Sequence, residues 1–118
     1  METMGIKSIF YFFFFWCVSS FSQENIEIVG ALPDTVSETS GLIFHNGKLI
    51  THNDSGGRPE LYEIDTTSLE ITRTVTIENI ENIDWEDIAQ DDTHIYIGDF
   101  GNNGGDRTDL KIYKCLKL

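Results

Sequence analysis

The sequence is poor in what would staple, recharge or anchor a small protein. Only two cysteines, Cys17 and Cys115, occur in 118 residues. That excludes a disulfide framework and a Cys-rich zinc motif. Basic residues are scarce: eight Lys and Arg stand against twenty Asp and Glu, a formal net charge of −12. A chain of that sign repels nucleic acid and anionic membrane surfaces, and favours cations or a basic partner. The longest apolar run, Ile9 to Val18, has ten residues. A bilayer-spanning helix needs about 20, so no stable membrane span is expected. Helical periodicity is nearly absent after position 23.

What is present begins with a leader. Ten apolar residues following Lys7 fit the core of a secretory signal peptide over residues 1–22. Ser20 and Ser22 supply the small residues of a cleavage site, which leaves Gln23 as the new N-terminus. Glu2 cancels the charge of Lys7, whereas a start at Met4 gives a basic leader. Cys17 sits inside the apolar run behind Phe15-Trp16, which does not fit lipid attachment. After cleavage Cys115 has no cysteine partner, so the oxidising compartment is not used for an internal disulfide. The charge stays at −12, because the leader carries one Glu and one Lys. The expected location is secreted or periplasmic, in the cell envelope.

Residues 23–118 read as all-β. Short runs of Ile, Val, Thr, Tyr and Phe alternate with clusters of Gly, Asn, Asp and Ser, about every eight to twelve residues. Strands are expected at Ile26–Leu32, Gly41–Phe44, Leu49–His52, Glu60–Asp65, Leu69–Ile77, Trp85–Gln90, Ile95–Asp99 and Lys111–Lys114. Asn46-Gly47 between apolar runs predicts a tight hairpin, since both central residues of that turn need positive φ. Asp91 to His94 predicts a second turn.

The two halves can be overlaid. Leu42, Leu49, Ile50 and Asn53 align with Ile88, Ile95, Tyr96 and Asp99 at an offset of 46, and Leu61-Tyr62 with Ile112-Tyr113 at 51. A period of about 40 to 50 residues built of antiparallel strands is that of a β-propeller. The expected fold class is therefore the first two blades of a β-propeller, behind the signal peptide. Blade 1 covers about 36–80, and blade 2 covers about 81–118 and is incomplete. A small β-sandwich with chance similarity is the alternative. Propellers close with about four to eight blades, so the remaining blades are an expected partner if the chain is truncated.

Hairpin geometry gathers carboxylates at one edge of each blade. Counting from the turns pairs Ser40 with Asn53 and puts Glu38 beside Asp54. The same count pairs Asp87 with Gly98, Glu86 with Asp99 and Trp85 with Phe100. Facing like charges destabilise a strand pair, so a hard cation, an Arg or open water must offset them. Calcium takes six to eight oxygens. Glu38, Asn53, Asp54, Glu86, Asp87, Asp99 and Asn102 are the candidate metal ligands, with a solvated acidic edge paired by Arg58 and Arg107 as the alternative. No nucleophile–base constellation is visible. Asp99-Phe100-Gly101 lacks the other kinase motifs, and the Asp99–Leu110 stretch lacks the EF-hand ligands at its third and twelfth positions. His45, His52 and His94 read as surface histidines, and Trp85 and Phe100 as a packing pair.

Ser37-Glu38-Thr39-Ser40-Gly41-Leu42, His52-Asn53-Asp54-Ser55-Gly56-Gly57, Leu61 to Asp65, Asp84 to Ala89 and Tyr96 to Asn103 occur in this order, followed by Arg107 and Leu110 to Tyr113. The ordered set resembles the start of exported bacterial β-propeller proteins of Bacteroidota type, many associated with type IX secretion. It is more loosely similar to phytase-like and lactonase-like propellers. The latter resemblance implies calcium near the central channel, with Glu38 at the position of an early ligand. The leading expectation is a non-catalytic binding or scaffold module for an extracellular or periplasmic ligand. The alternatives are a calcium-dependent lactone or phosphoester hydrolase, and a truncated product with no function of its own.

Overall fold

The computed structural model describes residues 25–118, so the expected leader lies outside the described residues. One turn of 3-10 helix, Asp34–Val36, precedes seven strands. These are β1 (Thr39–His45), β2 (Lys48–Asn53), β3 (Glu60–Asp65), β4 (Ile71–Thr76), β5 (Trp85–Gln90), β6 (His94–Asp99) and β7 (Lys111–Leu116). They form two antiparallel meanders, a four-stranded sheet β1-β2-β3-β4 and a three-stranded sheet β5-β6-β7. The described residues are all-β with almost no helix. Among the described residues no helix is long and apolar enough to cross a membrane.

Local chemistry explains the hairpins. Asn46 and Gly47 both adopt positive φ, 48° and 76°, as the tight turn requires. The register follows from it, with Phe44 opposite Leu49 and Leu42 opposite Thr51. In the second sheet Ala89 faces Tyr96 and Asp87 faces Gly98. The Asp91 carboxylate accepts the backbone N–H groups of Thr93 and His94 at 2.8 and 2.7 Å. That is the side-chain mimicry by which Asp favours turns.

Three expectations fail. Ile26–Leu32 forms no strand, and Ile26, Ile28 and Val29 stand exposed. A strand needs a neighbour to complete its backbone hydrogen bonds, and none among the described residues does so here. The register also slips near one end of each hairpin. Thr39, not Ser40, pairs with Asn53, and Trp85, not Glu86, pairs with Asp99. In each case the first strand carries one extra residue, a bulge. Finally, Trp85 does not meet Phe100. Trp85 is fully buried between the sheets, while Phe100 lies against Gly98.

The sheets stack face to face around one core. Ile50 and Leu61 from the first sheet meet Trp85, Ile88, Ile95 and Ile97 from the second. The first strands of the two sheets lie close together: Ser40 Oγ donates to the Glu86 carbonyl at 2.7 Å, and a Cβ on Gly41 would lie 2.5 Å from the Ile88 nitrogen. A second, smaller cluster of Val36, Tyr62 and Ile64 covers the far face of the first sheet, with Leu49, Leu69 and Ile71 against it. The far face of the second sheet is open, and Ile112 and Leu116 are 65% and 72% exposed there.

Candidate functional site

Antiparallel order sends the ends of β2, β4 and β6 and the starts of β1 and β5 to one rim. The longer connections, 54–59, 77–84 and 100–110, gather there. Backbone hydrogen bonds tie them together. The Asp54 N–H donates to the Glu38 carbonyl at 2.9 Å, Gly56 N–H to Ile83 at 3.3 Å, and Gly101 N–H to Asp84 at 3.0 Å.

Asn82 and Asp99 hold this frame from within. Asn82 Oδ1 accepts the Trp85 N–H at 3.1 Å, and its Nδ2 donates to the Asn53 carbonyl at 2.9 Å across the sheets. Asp99 is fully buried. Its Oδ1 accepts the Asp84 N–H at 3.1 Å and Arg107 Nη1 at 3.0 Å. Arg107 Nη1 also donates to the Gly101 carbonyl at 2.9 Å, and its Nε to Asp109 at 3.1 Å. The pair with Asp109 and then that with Asp99 raise the guanidinium pKa, and Arg107 in turn lowers that of Asp109. A buried carboxylate requires such a partner, because burial without one costs several kcal/mol.

The seven candidate ligands therefore fall into separate groups. Glu38, Asn53 and Asp54 adjoin one another at the β1–β2 end. Asn53 Nδ2 donates to the Thr35 carbonyl at 2.8 Å, and the Asp54 carboxylate accepts the Ser55 N–H. Asp99 and Asn102 meet through Arg107, whose N–H donates to Asn102 Oδ1 at 3.0 Å. Glu86 sits in the bulge of β5, out of register with Asp99. Asp87 lies one step inward on the open face, its Oδ1 on the Ile88 N–H at 2.8 Å. Among the described residues no three His, Cys, Asp or Glu side chains form a group that could hold a metal ion. At Asp99 the offsetting positive charge is Arg107.

His52 corrects the surface reading. It is fully buried and meets Trp85 edge-on, with ring centroids 5.7 Å apart and planes at 79°. Its Nδ1 lies 3.0 Å from the Asn53 carbonyl, to which it can donate. Trp85 also meets Tyr113 at 6.3 Å. The role of Asn82 was readable: an Asx residue three positions before an apolar strand start can cap its backbone. That of His52 was not, since its partner lies on another sheet.

The buried side-chain polar atoms without a hydrogen-bond partner among the described residues are His52 Nε2, Asn53 Oδ1, Asp99 Oδ2 and Arg107 Nη2. All four belong to this rim. Beside it, a cleft of about 450 Å³ is lined by Asn79, Ile80, Glu81, Ile83, Lys111 and Tyr113. Lys111 Nζ lies 5.9 Å from the centre of the Tyr113 ring and 3.5 Å from Asp109. The rim thus combines a fixed internal frame with an acidic, polar exterior. No family model, curated protein or solved structure matches the chain.

Proposed function

We propose that the chain belongs to an exported β-propeller, with its two sheets as successive blades, and that it serves as a binding or scaffold module. The rim is the contact surface. The observation that carries this reading is that every buried side-chain nitrogen or oxygen lacking a partner among the described residues lies at that one rim. Buried polar groups are otherwise satisfied almost everywhere in folded proteins, so unspent capacity marks a place built for more than packing. Asn53 Oδ1 and Asp99 Oδ2 among them are acceptors. With the charge of −12, the exposed Glu38 and half-buried Asp54 above this frame suit a ligand that is cationic or rich in hydrogen-bond donors.

The equivalence of the sheets supports the blade assignment. The rim pairs Thr39–Asn53 and Trp85–Asp99 are both spaced by the same 46 positions, and both first strands bulge at that end. A two-fold sandwich would pack like faces together. Here Ile50 points into the seam while Tyr96, its counterpart, lies on the open face. That head-to-tail arrangement supports reading the sheets as consecutive blades.

Calorimetric titration with decalysine and with calcium chloride tests the reading. Decalysine binding should weaken as salt rises, because exposed charges are screened, and should fall in the Glu38→Gln/Asp54→Asn double variant. A folded chain that binds neither probe overturns it. Export is checked by N-terminal sequencing of the released product, which should begin at Gln23.

A further inference from the structure

We propose that residues 25–29 of one copy add as a fourth strand to the bare outer edge of β7 in another copy. The inference needs the two sheets but not their reading as blades.

β7 ends its sheet in the order β5-β6-β7. The Lys117 N–H donates to the Thr93 carbonyl, and Ile95–Cys115, Ile97–Tyr113 and Asp99–Lys111 follow at alternate positions of the same register. Antiparallel bonding alternates. Lys111, Tyr113 and Cys115 therefore bond to β6, while the N–H and C=O groups of Ile112, Lys114 and Leu116 point outward. No other described strand or turn meets them. Such a row is a template for a further strand. The side chains of that strand find room on both flanks. Exposed Ile112 and Leu116 stand on one. The cleft of about 450 Å³ lined by Ile80, Ile83, Lys111 and Tyr113 opens on the other.

The segment fits this edge. Residues 25–33 have no strand partner, and Ile26, Ile28 and Val29 are 86%, 88% and 65% exposed. In a strand Ile26 and Ile28 share one face, and Glu27 and Val29 the other. The first pair then lies beside Ile112 and Leu116, and the second beside Lys111 and the cleft. Charge favours the same match. Lys111, Lys114 and Lys117 are three of the eight basic residues, whereas residues 23–34 hold Glu24, Glu27 and Asp34 and no basic one. The outer edge of β4 is a poorer fit, since it offers exposed Thr72, Thr74 and Thr76 in place of an apolar row.

Another copy supplies the segment. A Cβ on Gly30 would lie 3.0 Å from Leu69 Cδ1, and Leu69 packs with Val36 on the face of the first sheet turned away from the second. Five extended residues beyond Gly30 reach about 17 Å. Stacked sheets lie about 10 Å apart, so most of that length would be spent in passing the first sheet, with little left to run along the same chain's β7.

Hydrogen exchange on the exported chain over a concentration series tests this. The Tyr113 and Cys115 amides, bonded to β6, should be protected at every concentration. Those of Ile112, Lys114 and Leu116 should exchange freely when dilute and become protected as concentration rises, in step with a rising sedimentation coefficient. Ile28→Pro spoils the added strand, and Lys114→Pro removes an outward N–H that β6 does not use. Each variant alone should stay monomeric. Mixed, they should form a 1:1 dimer, since one intact segment and one intact edge remain. Outward amides that stay unprotected at high concentration, while Tyr113 and Cys115 are protected, overturn the proposal. Association that survives Ile28→Pro overturns it as well.

Discussion

The first sheet is covered on both faces and the second on one. In the first, Ile50 and Leu61 fill the seam, while Tyr62 and Ile64 are sealed by the turn holding Val36 and by Leu69. In the second, Ile88, Ile95 and Ile97 fill the same seam, and the opposite face ends in exposed Ile112 and Leu116. The difference shows where stability is concentrated. Side chains in the seam serve two sheets at once, and those on the open face serve one.

Breaking the seam should therefore have the largest effect. Trp85 is fully buried and touches His52 from the first sheet and Tyr113 from the second. Trp85→Ala should cost about 4 kcal/mol, the range for emptying a core aromatic site. Urea denaturation reads it as a lower midpoint, with the slope unchanged if unfolding stays two-state. A loss under about 1 kcal/mol would mean that the sheets do not share a core.

The residues that close the second strand of each sheet differ in charge. The residue that closes β2 is Asn53, neutral and bonded to the Thr35 carbonyl. Its counterpart on β6 is Asp99, buried against Arg107. Arg107→Ala leaves that carboxylate unpaired and should lower the urea midpoint, by less than Trp85→Ala does. Adding Asp99→Asn removes the stranded charge and should recover part of the loss, as a double-mutant cycle reads. Equal losses in the single and double variants would show that Arg107 acts through packing alone.

Two glycines sharpen the contrast further. A Cβ on Gly41 would meet the Ile88 backbone in the seam, at 2.5 Å from its nitrogen. Backbone cannot give way, so Gly41→Ala should cost about 2 to 3 kcal/mol. A Cβ on Gly98 would overlap the Phe100 ring on the open face. That ring is 41% exposed and can swing outward, so Gly98→Ala should cost only about 1 kcal/mol. Reversed magnitudes would mean that the open face is in fact held tightly.

Legibility in the sequence followed the range of the forces. The hairpins around Asn46-Gly47 and Asp91 to His94 were readable because turn chemistry is local, and the pairs Leu42–Thr51 and Ala89–Tyr96 came directly from counting outward. The count failed at Asn53 and Asp99, where an extra residue enters each first strand. The bulge residues Ser40 and Glu86 are joined to each other across the sheets by the Ser40 hydroxyl on the Glu86 carbonyl, and a contact spanning 46 residues leaves no trace in a local pattern. The carboxylates at the rim were foreseen as a problem needing an offset. That the offset at Asp99 is Arg107 was one of the stated options, chosen by the fold of the 100–110 loop. His52 was misread because only packing between sheets makes it a core residue.

At the edge opposite the rim the two sheets behave alike, and the smallest predicted effect lies there. Asp65 accepts Lys48 Nζ at 2.7 Å and the Thr67 and Ser68 N–H groups. Asp91 accepts the Tyr96 hydroxyl at 2.6 Å and the Thr93 and His94 N–H groups. The Lys48 bond and the turn amides hold the Asp65 carboxyl far below its ordinary value. The Tyr96 hydroxyl and the turn amides do the same for Asp91. A carboxylate whose pKa is lower folded than unfolded stabilises the fold fully above the unfolded value, about 3.9, and loses that contribution as pH falls toward the folded value. The urea midpoint should therefore drop as pH is lowered from about 5 toward 2. Both groups are solvent-facing, so the slope is shallow and salt flattens it. Asp65→Asn and Asp91→Asn should each remove part of it. If one variant flattens the profile and the other leaves it unchanged, the turns are not equivalent, and acid loosens one sheet before the other.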